Sequence, residues 1–254
     1  MSTTLFRHQA VRFGSKIWIL LVSTVAGCLL ALLFHNINSS IFQILASIIV
    51  ILSAMMLVAT LIVGMLLFFQ SFISSLLGRQ AYLIRMLPIS RVQIYGTLVL
   101  EGLILALLGT FLTMFWMWTL ITVMAGDLSG NLFSMFTQSG LAPAFFLTIF
   151  MQSVFILCCG MFGILFGYRR SGSKMGWSIV TGFVTYYVCQ FIMVPIVFLI
   201  AFAGGWPIFD DAYVPTITDG RGILLLISGF YLLFSVLIGW YCEKRIQKGL
   251  DIDG

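Results

Sequence analysis

Charge is what this chain has least of: Asp, Glu, Lys and Arg together make up 8% of its 254 residues, where a soluble domain carries about 25%. That shortfall excludes a water-soluble globule. Histidine is scarcer still. His8 and His35 are the only two, and both fall outside the long apolar runs, so no buried base stands beside any serine and neither triad nor metal chemistry has its residues inside a membrane. No glycine-rich loop leads into Lys-Ser or Lys-Thr, the pattern that cradles nucleotide phosphates, so the chain by itself has no means of hydrolysing ATP. The five cysteines (Cys28, Cys158, Cys159, Cys189, Cys242) lie in or at the edge of apolar runs without metal-ligand spacing. They read as small core residues, not as a disulfide framework or a metal site.

What is present is apolar sequence, 61% of the chain with a mean hydropathy of +1.13. Runs of 18 or more such residues recur, each long enough to cross a hydrocarbon core of about 30 Å as a helix. Because lipid offers backbone groups no partners and the runs lack dyad alternation, a helical bundle is expected and a barrel is not. The predicted fold is an all-α integral membrane protein forming a single domain over 1–254, with spans at about 17–34, 42–77, 94–124, 142–166, 177–203 and 223–241. Residues 1–16, basic and dotted with Leu5, Phe6, Val11 and Phe13, suit an interfacial elbow helix ahead of the first span. Val25-Ala26-Gly27-Cys28 has the look of a lipoprotein cleavage site, but the run continues apolar through Leu29 to Phe34, which favours a retained span. The second apolar run lasts to about Leu77, on the order of 50 Å as a helix, so its end should project beyond the bilayer.

The charges sort by side. Three cations lie before the first span (Arg7, Arg12, Lys16), three between the second and third (Arg79, Arg85, Arg91), three between the fourth and fifth (Arg169, Arg170, Lys174) and three after the sixth (Lys244, Arg245, Lys248). Those are 12 of the 13 Lys and Arg, with Arg221 alone opposite. Six spans put both termini on one face, and the positive-inside rule makes it the cytoplasmic one. The same sorting removes the argument for a nucleic-acid partner that a net charge of +5 would otherwise raise.

One ionisable residue sits well inside an apolar run: Glu101, about 15 Å up the third span from Arg91. An intramembrane carboxylate is a functional candidate because it is costly to place in lipid; the competing reading is a protonated or hydrogen-bonded glutamate packed against another helix. Gly102, Ala106, Gly109 and Thr113 form a small-residue stripe beside it that favours close helix contact. Gln152 on the fourth span, with Tyr186 and Gln190 on the fifth, are further candidates for a translocation path, against the plainer reading of interhelical hydrogen bonding. Phe111, Phe115, Trp116 and Trp118 crowd the outer half of the third span as an interfacial belt or a lateral exit. Gly160, Gly163 and Gly167 suit internal packing or a subunit interface.

The stretch from Gly78 to Arg91 is the longest basic break between apolar runs. Tyr82, Leu83 and Met86 share one face at helical spacing, Pro88 ends the helix and Ser90 caps the next, which describes a short docking helix over about 79–88. Phe68-Phe69-Gln70, Gly78-Arg79-Gln80-Ala81-Tyr82-Leu83 and Leu87-Pro88-Ile89-Ser90-Arg91-Val92-Gln93-Ile94 together resemble the permease subunits of type-two ABC exporters. Small bacterial members carry Gly-Asp-Glu-Gly-Tyr-Leu followed by Leu-Pro-Val and a basic residue; here Arg79-Gln80-Ala81 stands where that pattern is acidic. The resemblance implies a multi-pass subunit of a bacterial cell membrane that pairs with a second permease subunit and docks two ATPase subunits, which bind the ATP and magnesium. It implies that Arg79, Gln80, Tyr82, Leu83, Arg85, Met86, Leu87 and Pro88 form the coupling helix, and that the nearest substrate class is amphipathic or antimicrobial peptides. Two other functions compete: a proton-coupled secondary transporter with Glu101 as its relay, and a non-transporting interaction or sensor subunit that needs only the docking helix.

Overall fold

The computed structural model describes residues 2–37, 39–77, 91–125, 140–168, 173–204 and 217–247. Among these residues the chain is entirely helical, in six elements: α1 (Ser2–His35), α2 (Ser40–Leu76), α3 (Arg91–Ala125), α4 (Leu141–Gly167), α5 (Lys174–Ala203) and α6 (Ile217–Gln247). Every one is long and apolar enough to cross a membrane. The architecture is that of a multi-pass membrane protein, and its helicity follows from the need of each backbone N–H and C=O in lipid to find a partner within its own segment.

The helices overrun the apolar segments that announce them. α6 begins six residues before the expected 223 and ends six after 241. Its last turns are held beyond the apolar stretch by i,i+4 pairs: Gln247 Nε2 donates to Glu243 Oε1 at 3.0 Å, and Arg245 Nε donates to the Tyr241 hydroxyl at 2.9 Å. At the other end of the chain, a single helix covers both the basic residues 2–16 and the first span. It runs unbroken past Cys28, which is fully buried beside the hydroxyls of Ser53 and Thr119. α5 likewise continues through Pro195 to Ala203. α4 starts from Gly140, whose φ of 70° lies in the left-handed region that glycine adopts without strain.

Packing divides the helices into two sets. α1, α2 and α3 pack on one another, α4 packs on α5 and α6, and the sets are joined where α3 meets α4 and α6 and where α2 meets α4. α3 and α5 make no contact among the described residues. Without a hydrophobic force between helices in lipid, close approach depends on small side chains and hydroxyls. Gly27 of α1 sits against Ser53 of α2, and the hydroxyls of Thr24 and Thr60 lie 3.3 Å apart one turn away. Between α4 and α5 the approach is closer still: a Cβ on Gly163 would strike the Ser178 carbonyl and the Gly182 backbone, and one on Gly167 would strike Ser178. The glycine spacing of the fourth span therefore serves an internal contact. The outward faces of α2 and α5 carry exposed Ile, Val, Leu and Phe side chains, as lipid-facing surfaces do.

Candidate functional site

The coupling stretch Arg79, Gln80, Tyr82, Leu83, Arg85, Met86, Leu87 and Pro88 lies outside the described residues. Its frame lies within them. α2 and α3, the helices on either side, are the longest of the six at 37 and 35 residues, each on the order of 50 Å against a hydrocarbon core of about 30 Å. Phe72 and Leu76 in the last turns of α2 and Ile94, Tyr95 and Leu98 in the first turns of α3 belong to the largest buried cluster of the molecule. The same cluster takes in Ile164 and Leu165 of α4 and Cys242 and Ile246 of α6. The ends of four helices are thus locked together directly beside the loop. One polar bond ties them further: the Tyr95 hydroxyl donates to the Gly239 carbonyl of α6 at 3.1 Å.

Glu101 stands about one and a half turns further into α3 than Tyr95. It is 6% exposed. Ser71 of α2 donates to its Oε2 across a long 3.5 Å, while Oε1 is buried with no hydrogen-bond partner among the described residues. The walls are apolar. Gly102, the next residue, lies so close to the Phe68 ring of α2 that a Cβ there would come within 3.0 Å of it, with Leu157 of α4 at 3.6 Å. Gly109, two turns on, meets Leu61 of α2 in the same way at 2.9 Å. The small residues of α3 bring α2 and its serine close to the carboxylate, and they leave that carboxylate in a site with more acceptor capacity than the protein fills.

The other path candidates lie elsewhere. Gln190 of α5 donates its Nε2 to the Tyr231 hydroxyl of α6 at 3.0 Å, and Tyr231 stacks on Phe155 of α4 with ring centroids 5.4 Å apart. Tyr186 closes the group, 5.7 Å from the same Phe155 ring. Gln152, half-buried on α4, takes no part in that bond. α3 and α5 do not touch among the described residues, and Glu101 is not in contact with Tyr186 or Gln190. Those two residues form an interhelical joint. Neighbouring hydroxyls do similar work: Thr148 of α4 lies 2.9 Å from the Ser228 hydroxyl of α6 and 3.1 Å from the Leu224 carbonyl. Of the aromatic group on α3, Phe111 and Trp118 face outward, whereas Trp116 donates its indole N–H to the Val50 carbonyl of α2 at 3.3 Å.

Comparison of the chain with protein-family models, with curated proteins and with solved structures finds no match. The site must be read from its own residues. Ser71 escapes a reading of the sequence because a Ser or Thr hydroxyl in an apolar helix usually bonds back to its own chain, as Thr97, Thr110, Thr113 and Thr119 do here, and nothing in the spacing marks one that reaches across; for Tyr95 and Tyr231 the sequence does not say which helix each hydroxyl meets.

Proposed function

We propose that this chain is the permease subunit of a type-two ABC exporter, which pairs with a second permease subunit and docks ATPase subunits through residues 79–88. The observation that carries the reading is the frame of that loop. Two helices longer than the bilayer flank it, and their ends share one buried cluster with the ends of α4 and α6, so a force applied at the loop has a rigid route into both helix sets. The sidedness of the cations supports it, since the positive-inside rule favours a cytoplasmic face for the loop and both termini, and the loop's own sequence resembles the coupling stretch of such permeases. ATP and magnesium are bound by the partner, whose hydrolysis cycle moves α2 and α3 and, through the shared cluster, the helices packed on them. Amphipathic peptides are the substrate class that the resemblance favours.

The test is co-purification from the native membrane. An ATPase subunit should accompany the chain, and Leu83→Asp with Leu87→Asp should release it; an unchanged yield of ATPase with the double variant sinks the docking claim. The buried, half-satisfied Glu101 favours a second reading, a proton-coupled carrier that transports without any ATPase.

A further inference from the structure

The C-terminal end of α6 carries two cations that aromatic rings hold in place. Lys244 Nζ lies 3.8 Å from the centroid of the Trp240 ring. The Arg245 guanidinium lies 5.3 Å over the Tyr241 ring, with its Nε bonded to the Tyr241 hydroxyl. Neither is ion-paired among the described residues, and Glu243, the residue before them, accepts from Gln247 instead. Tyr241 is itself fixed, stacked on Phe166 of α4 at 6.0 Å and touching Phe162 at 5.7 Å. Arg245 is therefore oriented by the bundle, and Lys244 by a tryptophan that is 55% exposed on the outer surface.

We propose that this end of α6 binds the phosphate headgroup of an anionic phospholipid. The depth fits. Trp240 is an amphipathic ring of the kind that settles at the edge of the hydrocarbon, and Lys244 and Arg245 stand one turn beyond it toward water, where long cationic side chains reach headgroup phosphates. The surroundings fit as well. Gly167 packs on Ser178 and Phe166 stacks on Tyr241, so the start of α5, with exposed Lys174 and outward-facing Trp177, flanks the same end of α4. A lipid satisfies both halves of the surface, its phosphate meeting the cations and its acyl chains covering the indole. Free phosphate would use only the first half. The proposal stands apart from the exporter reading, since it needs only that α6 ends at a membrane surface.

The experiment is native mass spectrometry of the full chain after reconstitution in phosphatidylcholine vesicles with and without phosphatidylglycerol. Wild type should retain phosphatidylglycerol over phosphatidylcholine, and Lys244→Gln with Arg245→Gln should lower that retention about thirtyfold, two cations near an anionic surface each contributing roughly a factor of five. Lys244→Arg with Arg245→Lys should keep most of it, which guards against loss by misfolding. Brominated phosphatidylglycerol should quench the fluorescence of wild type more than that of Trp240→Phe. Equal retention of both lipids by wild type overturns the proposal, as does undiminished retention by the double glutamine variant. Displacement of the lipid by inorganic phosphate alone would overturn it too, because it would assign the site to a free anion.

Discussion

Ser71 and Glu101 face each other from neighbouring helices, the serine hydroxyl 3.5 Å from one carboxylate oxygen while the other oxygen is buried without a partner among the described residues. A carboxyl in such a place either acts or merely joins α2 to α3, and the two roles separate by substitution. Glu101→Gln keeps the shape and the acceptor for Ser71 but cannot release or take up a proton. If an ATPase drives transport, this variant should export at close to the wild-type rate with no dependence on a proton gradient. If transport stops in the variant, and in wild type when the gradient is collapsed, the carrier reading replaces the exporter. Ser71→Ala should cost little in either event, about 0.6 kcal/mol for a typical interhelical hydrogen bond in a membrane protein, read as a small drop in thermal midpoint.

The helical glycines are not equivalent. At Gly163 and Gly167 an added methyl meets the backbone of α5, at Ser178 and Gly182, which cannot move without the whole helix. Gly163→Ala and Gly167→Ala should each destabilise by about 1–3 kcal/mol, the usual cost of overpacking, and lower the yield of folded protein in detergent. Gly96→Ala and Gly229→Ala have open space at the same position and should be neutral. Comparable losses at all four would mean that α4 and α5 are not in close contact.

Much of this architecture was legible in the sequence because lipid imposes one simple demand, an uninterrupted apolar helix, and six such helices were expected. Helix ends were less legible. α6 continues past its apolar segment because pairs such as Arg245 with Tyr241 stabilise helix as well as lipid does. Glu101 announces itself as a charge in an apolar run, yet Ser71, its neighbour, looks like Ser74 beside it, which bonds its own helix. The spacing of Gly163 and Gly167 shows that something comes close and leaves open whether it belongs to this chain. Only three-dimensional placement shows that it is α5.

Sidedness has a direct test. All five native cysteines lie within the spans and four are buried, so a membrane-impermeant thiol reagent should find little in wild type. A cysteine at Ser39, ahead of α2, should label in intact cells, and one at Ser173 should label only after the membrane is opened. Ser173 caps α5 by accepting from the Gly176 N–H at 3.3 Å, so its replacement should cost about 1 kcal/mol, too little to disturb the topology. The opposite labelling pattern would invert the bundle and move the 78–90 loop away from any cytoplasmic ATPase.

Tyr95 tests whether the loop and the bundle move as one. It stands one turn into α3, 7% exposed, and its hydroxyl reaches the Gly239 carbonyl across to α6. Tyr95→Phe removes that bond while keeping the ring that fills the shared cluster, so stability should fall by about 0.5–1.5 kcal/mol. A purely structural tyrosine would show no more than this. If an ATPase docks at the 78–90 loop and motion begun there reaches α6 through the start of α3, the variant should still bind that ATPase, which should hydrolyse ATP as it does with wild type, yet less substrate should be exported for each ATP consumed. Measuring ATP turnover and export on the same reconstituted vesicles gives that ratio, and an unchanged ratio would show that the apolar contacts of Ile94, Leu98, Cys242 and Ile246 carry the coupling without the hydroxyl.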